Sequence, residues 1–506
     1  MNANLDTTSS WHERARALRF RTQAFIDGRY ADAASGATFD CINPATGAVL
    51  ARVAACDVTD VNRAVAAARA AFRKGTWANL APAKRKKVLQ RFADLIEEHG
   101  EELALLETLD MGKPIRDSLS VDIPGSANCI RWYAEAIDKV YDEVAPTGSD
   151  TLALITREPM GVVGAIVPWN FPLLMAAWKI GPVLAGGNSL VLKPSEKSPL
   201  TAIRIAELGL EAGLPQGVLN VVPGFGQTAG KALAVHMDVD CITFTGSTAT
   251  GGLVMQYAGQ SNLKRVSVEC GGKSPNIVMA DYPDVERAAA AAAAAIFFNQ
   301  GEICSAGSRL LVQESIKDAV LEKVQALSRT MQPGDPLDPA TKLGAIVDEI
   351  QMKRVLGYVD AGRRDGAKLR FGGERVRKES GGYFIEPTVF EGVRPNMTIA
   401  REEIFGPVLS AITFKTVDEA IEIANDVIYG LVSAVWTRDI TIAHRVAKAL
   451  RAGTVFVNCY DADDITVPFG GFKQSGIGRE FGPEGLHEYV ELQSVISKGT
   501  MPPLPN

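Results

Sequence analysis

Four short apolar stretches decide the fold of this 506-residue chain: VVGAIVPW (Val162–Trp169), SLVLKP (Ser189–Pro194), GVLNVVPG (Gly217–Gly224) and CITFTGS (Cys241–Ser247). A segment with helical spacing of its apolar residues separates each stretch from the next. Strands that alternate with helices in this way are typical of a parallel sheet with crossover connections. The same alternation resumes after Glu269 and runs to about Ser475. The sequence therefore predicts two α/β domains with a boundary near Cys270.

The first third of the chain predicts smaller packing elements. Residues 1 to about 20 form a polar lead-in that we expect to be frayed, and AFIDGRYADA predicts a hairpin with Asp27 and Gly28 at its turn. Helical patterns follow from Asp57 to Gly112 and from Ser126 to Val140. TGSDTLALITREP (Thr147–Pro159) predicts an exposed antiparallel ribbon. Because an isolated ribbon is only marginally stable, we expect it to pair with another subunit.

The composition excludes several classes of protein. The chain has 46% hydrophobic and 22% charged residues, which is average globular composition, and its net charge of −6 argues against nucleic acid or an anionic membrane as a partner. Seven scattered cysteines without C-x-x-C spacing indicate reduced thiols. No signal sequence is recognisable, and no stretch approaches the roughly 18 apolar residues of a membrane helix. We therefore expect a cytoplasmic protein that binds a small molecule.

The loop FFNQGEICSAGSR (Phe297–Arg309) presents Cys304 after a long Ala-rich segment. A thiol with an ordinary pKa is only a few per cent thiolate at neutral pH, yet it is intrinsically nucleophilic, so modest electrostatic help makes it reactive. A free cysteine more often simply packs in the core. Both interpretations are open for Cys304 alone, and the neighbouring motifs favour the nucleophile.

Two glycine-containing loops are candidates for a dinucleotide site. Gly224–Gly230 follows a strand, but its G-x-G-x-x-x-G spacing is one residue longer than the usual fingerprint. FTGSTATG (Phe244–Gly251) has small residues that would let a pyrophosphate approach a helix N-terminus, although a plain turn has the same composition. In LKPSE, Lys193 and Glu196 lie where a ribose would bind, unless they are solvated surface residues. A carboxylate at Glu196 would repel a 2′-phosphate and favour NAD over NADP.

Two polar side chains complete the candidate chemistry. VPWNFP fixes Asn170 in a rigid loop, from which its amide could stabilise an oxyanion; an Asn-driven turn is the alternative. Glu269 ends a strand before two glycines, where an apolar crevice would raise its pKa and let it activate water; a solvated carboxylate is the alternative. The five histidines lie in none of these motifs. Glu269 is therefore the natural base, and a Cys-His hydrolase is disfavoured.

Seven motifs occur in matching order along nearly the whole chain: VPWNFP, LKPSE, FTGS, VECGGK, FFNQGEICSAGSR, EEIFGPV and PFGGFKQSGIGRE. Together they resemble the aldehyde dehydrogenase superfamily. The resemblance implies a variant Rossmann NAD-binding domain (residues 1–141 and 162–271), an α/β catalytic domain (272–474) and a small β oligomerisation ribbon (142–161 and 486–506). It also implies a homodimer or homotetramer. The family has Leu where this chain has Cys270, a change that we expect to be tolerated.

The resemblance implies a role for each catalytic motif. Cys304 would attack the aldehyde carbon, and Asn170 with the Cys304 backbone N–H would hold the oxyanion of the thiohemiacetal. Hydride would then pass to NAD. Glu269 would deprotonate the water that hydrolyses the thioester, and Glu480 would relay that proton. No metal is required, and a CoA-acylating enzyme is disfavoured because it would lack the base.

For the cofactor, the resemblance implies that the pyrophosphate binds at Gly246 and Ser247 and not at the Gly224 loop. NADP would be tolerated if Lys197 softened the repulsion from Glu196. The implied cofactor contacts are Ile166, Pro168, Trp169, Lys193, Ser195, Glu196, Gly246, Ser247, Glu403 and Phe405.

Within the superfamily, LKPSEKSPLTAIRIAE, IRWYAEAIDKVYDEVAP and NCYDADDITVPFGG resemble dehydrogenases of ω-amino and guanidino aldehydes in polyamine and arginine breakdown. In the family the last of these stretches lines the substrate tunnel. Asp461, Asp463 and Asp464 could therefore hold a cationic tail, with Asp122 adding to them. The C-terminal GREFGPEGLHEYVELQSV instead resembles broad-specificity and betaine-aldehyde members. General aliphatic or aromatic aldehydes are the alternative substrates, and the acidic loop would then be solvated surface.

Overall fold

The computed structural model describes residues 7–499 and confirms the predicted α/β fold class. Residues 1–6 of the predicted NAD-binding domain and residues 500–506 of the predicted oligomerisation segment lie outside the described residues. The strands are β1 (Ala24–Ile26), β2 (Arg29–Ala31), β3 (Thr38–Ile42), β4 (Val49–Ala54), β5 (Glu143–Val144), β6 (Thr151–Pro159), β7 (Val162–Ile166), β8 (Ser189–Lys193), β9 (Leu219–Val221), β10 (Cys241–Gly246), β11 (Arg265–Cys270), β12 (Pro275–Val278), β13 (Arg309–Gln313), β14 (Lys368–Phe371), β15 (Arg375–Val376), β16 (Phe384–Ile385), β17 (Thr388–Glu391), β18 (Val408–Phe414), β19 (Tyr429–Gly430), β20 (Val432–Trp436), β21 (Thr454–Val457), β22 (Phe472–Lys473), β23 (Gly476–Ile477) and β24 (Val490–Lys498). The α-helices are α1 (Thr8–Ala17), α2 (Val58–Lys74), α3 (Pro82–Glu98), α4 (Gly100–Met111), α5 (Ile115–Asp117), α6 (Ile123–Ala136), α7 (Pro172–Ala185), α8 (Leu200–Glu211), α9 (Lys231–Val235), α10 (Thr248–Gly259), α11 (Val285–Phe297), α12 (Lys317–Thr330), α13 (Glu349–Arg364), α14 (Thr398–Arg401), α15 (Val417–Asn425), α16 (Ile440–Ala449) and α17 (Gly482–His487).

The first large sheet contains the four apolar stretches that open the sequence argument. Its strand order is β2-β1-β9-β8-β7-β10-β11-β23, and the five strands from β9 to β11 are parallel. From β7 the chain moves outward through β8 and β9, then returns to the other side of β7 and continues with β10 and β11. This reversal creates a switch point between β7 and β10. Open α/β sheets bind ligands at the carboxyl ends of the strands at such a point.

The second large sheet has the order β14-β17-β18-β13-β12-β20-β21 and is parallel except for β14. Its strand β12 begins at Pro275, shortly after β11 of the first sheet ends at Cys270. The Ala-rich helix α11 connects β12 to β13, and Asp284 caps it by accepting from the backbone N–H of Arg287 at 2.9 Å. The alanine run is therefore a packed helix, as its composition predicts.

A three-stranded sheet, β24-β6-β5, forms the predicted ribbon. Strands β6 and β24 pair antiparallel over their whole lengths, from Val490 opposite Pro159 to Lys498 opposite Thr151. The hairpin at Asp27 and Gly28 is confirmed as β1 and β2. Within residues 7–499, no helix combines the length and the apolar character needed to cross a membrane.

The expectation of a frayed lead-in is wrong for the described part of it. Residues Thr8–Ala17 form helix α1, because Trp11 is buried in the core with 2% of its surface exposed. A single large aromatic side chain supplies the tertiary contact that a polar sequence pattern does not reveal.

A tight left-handed turn follows α11 and leads into the Cys304 loop. Asn299, Gln300 and Gly301 have φ angles of 47°, 57° and 70°. The turn brings Gly301 so close to another loop that an added Cβ would lie 2.3 Å from the carbonyl oxygen of Gly406. Only glycine satisfies both the backbone conformation and the space at this position.

We expect Gly301→Ala to lower the free energy of unfolding by about 2 kcal/mol or more, since it combines a left-handed L-residue with a backbone clash. Thermal unfolding of the variant measures this as a lower midpoint. Gly357→Ala is the matched control, because Gly357 lies in α13 with no atom within 4 Å of its added Cβ. That helix-interior change should leave the midpoint equal or higher. Equal midpoints for Gly301→Ala and the wild type would contradict the role of the turn.

Candidate active site

The switch point of the first sheet gathers three of the predicted cofactor residues. Ile166, Lys193 and Gly246 are the last residues of β7, β8 and β10, which are neighbouring parallel strands. Ile166 lies directly opposite Lys193 in the ladder, and Phe244 lies opposite Ile166 on the other side. The fold therefore brings these residues to one edge of the sheet.

The loop at Gly246 and Ser247 fits a pyrophosphate. Ser247 caps α10 by accepting from the backbone N–H of Thr250 at 3.3 Å, and it leaves the helix N-terminus exposed. A Cβ at Gly246 would lie 2.5 Å from the Phe244 ring, so the strand end requires glycine. At the competing loop, a Cβ at Gly224 would lie 2.6 Å from the carbonyl oxygen of Cys56, so its backbone is packed against protein.

Lys193 and Glu196 form a pair beside this loop. The Lys193 Nζ lies 3.2 Å from Glu196 Oε2, and the lysine is buried whereas the carboxylate keeps about a third of its surface, 34%, exposed. Burial lowers the pKa of Lys193. Lys197 is engaged elsewhere, since its Nζ lies 2.7 Å from Asp348 Oδ2 and stacks over the Trp169 ring. Ser195 lies in the same turn, where its hydroxyl accepts from the backbone N–H of Lys197.

Residues of the loop before β18 lie against this edge. The Glu403 carboxylate accepts from the backbone N–H of Gly272 at 3.2 Å, and burial raises its pKa to about 7. A Cβ at Gly271 would lie 2.0 Å from the same carboxylate. The Phe405 ring packs edge-on against Trp169, which follows Pro168, with 5.2 Å between ring centroids. The contact between Phe405 and Trp169 thus joins the loop before β18 to the end of β7.

Cys304 lies on the wall of a cavity of about 410 Å³ and is half-buried. Burial raises the pKa of its thiol well above the usual value, and the carboxyl groups of Glu269 and Glu403 raise it further. The backbone N–H of Ser305 favours the thiolate, but the charged groups near Cys304 are acidic and oppose it. The thiol is therefore protonated at rest and would have to lose its proton before it could act as a nucleophile.

Asn170 lies beside the Cys304 loop. Its side-chain Nδ2 donates to the carbonyl oxygen of Glu302 at 2.9 Å, and its backbone carbonyl oxygen accepts from Asn299 Nδ2 at 3.0 Å. Asn170 is 3% exposed and lines the same cavity as Cys304. The first hydrogen bond holds the side-chain amide against the Cys304 loop, and the second anchors the backbone of Asn170.

Glu269 lies at the end of β11 in a buried acidic group. Burial raises its pKa well above the usual value, the nearby Glu480 carboxyl raises it further, and Lys179 opposes both. Glu480 is itself buried and forms an ion pair with Lys179. Glu269 Oε1 has no hydrogen-bond partner within residues 7–499, so it is available to water or substrate. This arrangement would allow Glu269 to accept a proton and to transfer it to the second carboxylate, Glu480.

The acidic residues of the substrate prediction separate into two groups. Asp461 and Asp463 line the cavity, where the enclosing protein raises the pKa of the first to about 7 and of the second to about 6, although both remain accessible to solvent. Asp464 points away, and its Oδ1 accepts from the backbone N–H and hydroxyl of Thr466 at 2.8 and 2.6 Å. Those hydrogen bonds hold the pKa of Asp464 below its usual value.

Asp122 is absent from the cavity lining. It is fully buried and accepts from Lys113 Nζ at 2.7 Å. The predictions of direct substrate contacts by Asp122 and Asp464 are therefore corrected: the first carboxylate is used by an internal ion pair and the second by a turn.

Sequence reasoning missed the aromatic wall of the cavity and the partner of Glu480. The wall is formed by Phe171, Trp178, Phe298, Phe469 and Phe481. Lys179 carried a recognisable signal, since it is the one charged residue in the otherwise apolar helix α7. A cation in such a helix indicates a buried counter-ion. The aromatic residues carried no such signal, because they come from four separate segments.

Over residues 30–495 the chain matches the aldehyde dehydrogenase family. It is 53% identical to the NADP/NAD-dependent aldehyde dehydrogenase PuuC of Escherichia coli over 97% of this chain and 99% of the relative. Among solved structures, it is similar to the indole-3-acetaldehyde dehydrogenase AldA of P. syringae in complex with NAD⁺, with 61% identity, a TM-score of 0.97 and coverage of 97% and 100% of the two chains. The gamma-glutamyl-gamma-aminobutyraldehyde dehydrogenase of Burkholderia cenocepacia is 61% identical, with a TM-score of 0.96 and the same coverage. The chain therefore belongs to the aldehyde dehydrogenase family.

Proposed function

We propose that this NAD(P)-dependent aldehyde dehydrogenase oxidises aldehydes that carry a cationic tail, with Cys304 as the nucleophile. The observation that carries the proposal is the cavity that Cys304 shares with the carboxyl groups of Asp461 and Asp463. A thiol supplies the covalent chemistry, and a carboxylate supplies the recognition of an ammonium or guanidinium group.

The protein residues assemble the acyl-transfer half of the reaction. The Cys304 thiol releases its proton to solvent in the open cavity, and the sulfur attacks the aldehyde carbon to give a thiohemiacetal. The Asn170 Nδ2 and the Cys304 backbone N–H donate to its oxyanion. NAD⁺ held in the cleft would supply the acceptor for the hydride that leaves this carbon, so that the thiohemiacetal becomes a thioester. Losing one such oxyanion donor typically costs about 10² to 10³ in rate.

The cleft at the switch point would hold NAD. Gly246 and Ser247 would receive the pyrophosphate, Lys193 and Glu196 the adenosine ribose, and Glu403 and Phe405 the nicotinamide side. The remaining predicted contacts, Ile166, Pro168, Trp169 and Ser195, line the same edge. The Glu196 carboxylate favours NAD over NADP, since Lys197 is paired with Asp348 and does not offset its charge.

Hydrolysis of the thioester requires a base, and Glu269 supplies it. Burial raises the pKa of Glu269 well above its usual value, which makes the ionised carboxylate a stronger base toward water. The Glu480 and Lys179 pair behind it provides a route by which the proton leaves the cavity. A neutral Gln at position 269 cannot accept that proton.

We expect Glu269→Gln to slow the steady-state rate by at least about 10²-fold, because it removes general-base catalysis of deacylation. Stopped-flow absorbance should still show a burst of NADH, since hydride transfer precedes hydrolysis. Glu314→Gln is the control for loss of a carboxylate, because Glu314 lies outside the site at the end of β13. Loss of the burst together with the steady-state rate would contradict the assignment of Glu269 to deacylation.

The substrate class rests on the two carboxyl groups in the cavity. An ammonium and a carboxylate about 4 Å apart attract by roughly 1 to 4 kcal/mol, depending on the local dielectric. Relatives whose names include an amino aldehyde support the same class, among them aminoacetaldehyde dehydrogenase of Pseudomonas aeruginosa at 50% identity. Butanal and 3-aminopropanal have similar lengths and differ chiefly in the terminal cation, so their comparison isolates the tail.

We expect kcat/KM with NAD to be at least tenfold higher for 3-aminopropanal than for butanal, which corresponds to about 1.4 kcal/mol of transition-state stabilisation. Asp461→Asn and Asp463→Asn should each reduce this ratio toward one. Asp464→Asn is the matched control from the same loop and should leave the ratio unchanged, because its carboxylate binds Thr466. A ratio near one in the wild type would contradict the cationic-tail proposal.

The ratio should also depend on pH. Asp461 and Asp463 have pKa values raised to about 7 and about 6, so both are neutral at low pH and become anionic as the pH rises through this range. The substrate ammonium stays charged until about pH 10. We therefore expect the preference for 3-aminopropanal to be small at pH 5.5 and to reach its plateau near pH 8. Taking the ratio of two substrates cancels the ionisation of Glu269, and a pH-independent ratio would contradict the proposal.

Aromatic aldehydes are the second candidate, because five aromatic side chains line the cavity. Such a wall binds a flat ring through stacking and apolar burial. Indole-3-acetaldehyde measured with the same variants separates the two classes. Its kcat/KM should be insensitive to Asp461→Asn and should exceed that of 3-aminopropanal if the aromatic wall decides specificity.

The ribbon supports assembly as a homodimer or homotetramer. Its strands expose Leu152, Leu492 and Ile496 to the extent of 51%, 66% and 68%, which is unusual for large apolar side chains on a monomer. Mass photometry of the purified chain distinguishes monomer, dimer and tetramer.

A further inference from the structure

Three ionisable side chains are buried together behind the loop that carries Asn170. They are Glu107 at 0% exposure, Lys113 at 1% and Asp122 at 0%. The Lys113 Nζ donates to Asp122 Oδ1 at 2.7 Å and lies 3.6 Å from Glu107 Oε1. None of the three lines the substrate cavity. The proposed mechanism uses none of them, although a buried charged cluster is costly to assemble.

Two members of the cluster hold the Asn170 loop directly. The Glu107 carboxyl accepts from the backbone N–H of Leu173, in the first turn of α7, at 3.2 and 3.4 Å. This N–H has no partner within its own helix, so Glu107 satisfies a helix terminus from a distant segment. The Lys113 Nζ lies 4.1 Å from the centroid of the Phe171 ring, a cation–π contact. Asn170 immediately precedes Phe171, so both contacts restrain the backbone on its C-terminal side.

The net charge of the cluster is zero when the carboxyl groups of Glu107 and Asp122 hold one proton between them and Lys113 is an ammonium. Burial raises the pKa of Glu107 well above the usual value and also raises that of Asp122, while Lys113 opposes both shifts. Asp122 Oδ2 has no donor among the described residues other than a protonated Glu107. A protonated Glu107 therefore donates to ionised Asp122, which pairs with the Lys113 ammonium. Asp110 adds a further acidic group nearby and favours the same proton on Glu107.

We propose that Glu107, Lys113 and Asp122 are positioning residues that fix the loop before α7 and thereby aim the Asn170 amide at the oxyanion. The inference rests on the proposed role of Asn170. It predicts an effect on kcat and not on substrate binding, because the oxyanion exists only after the thiol has attacked. A cluster that merely stabilised the fold would lower the thermal midpoint and leave the rate of the folded enzyme unchanged.

Lys113→Met tests the proposal, since it keeps the length of the side chain and removes its charge. We expect kcat to fall about 10- to 100-fold, with KM for the aldehyde and the NAD dissociation constant within twofold of the wild type. Asn170→Ala should show a loss of about 10² or more, and the double variant should be no slower than Asn170→Ala alone. Lys264→Met is the matched control, because Lys264 is a buried lysine between α10 and β11 that bonds Ala234 and Ser261. That control should keep the wild-type kcat.

The Glu107 variants provide a second test that does not depend on the folding of Lys113→Met. Glu107→Gln keeps a neutral side chain that donates to Asp122 and accepts from Leu173, so kcat should stay within about threefold of the wild type. Glu107→Leu loses both hydrogen bonds and should reproduce the 10- to 100-fold loss. Equal kcat values for the Gln and Leu variants would overturn the proposal.

The outcomes separate this inference from the proposed function. If Asn170→Ala has the wild-type kcat, the oxyanion role fails and the inference fails with it. If Asn170→Ala is slow but its effect multiplies with that of Lys113→Met, the proposed function stands and the positioning role is overturned.

Discussion

The carboxyl group of Glu269 lies near the end of β11, where it is buried and close to Lys179 and Glu480. Taking a carboxylate out of water disfavours its charged form, so burial raises the pKa of Glu269 well above its usual value. Burial likewise keeps the Cys304 thiol protonated at rest. In the proposed mechanism the nucleophile therefore reacts only after it has lost its proton, rather than from a standing thiolate.

This burial is possible because the two sheets meet directly at the site. The last residue of β11 and the first of β12 are separated by Gly271, Gly272 and two further residues, and Glu403 from the loop before β18 bonds Gly272 across the junction. The absence of a side chain at Gly271 leaves room for that carboxylate. Trp169, which follows β7, and Phe405, which precedes β18, pack against each other beside it. A longer or bulkier connection would open the junction to water and return Glu269 to an ordinary pKa.

Much of this arrangement could be predicted from the sequence, because it depends on residues that are close together in the chain. Strands, crossover helices and the hairpin at Asp27 follow from apolar periodicity and turn residues, and the catalytic motifs are contiguous. The failures depend on tertiary contacts. Asp463 and Asp464 are adjacent and chemically identical, yet only Asp463 lines the cavity. Asp461 has a left-handed backbone conformation, with a φ of 51°, and the Asp464 carboxyl binds Thr466 in a turn outside the cavity. The pairing of Asp122 with Lys113 joins the residue before α6 to the loop after α4, and the sequence spacing does not reveal it.

The cavity combines two kinds of recognition that usually compete. Aromatic side chains on its wall favour an apolar or flat substrate, whereas Asp461 and Asp463 favour a cation. The two are compatible if the aldehyde carbon and its chain pass along the aromatic wall and the cation remains in the part of the cavity that solvent reaches. An ammonium there keeps some of its hydration, so its attraction to the carboxylates is not cancelled by a large desolvation cost. A carboxyl with a pKa near 7 pairs with a cation only when it has itself given up its proton. The proposed selectivity for a cationic tail would therefore be coupled to the protonation of the loop, and the aromatic wall alone would select substrates at lower pH.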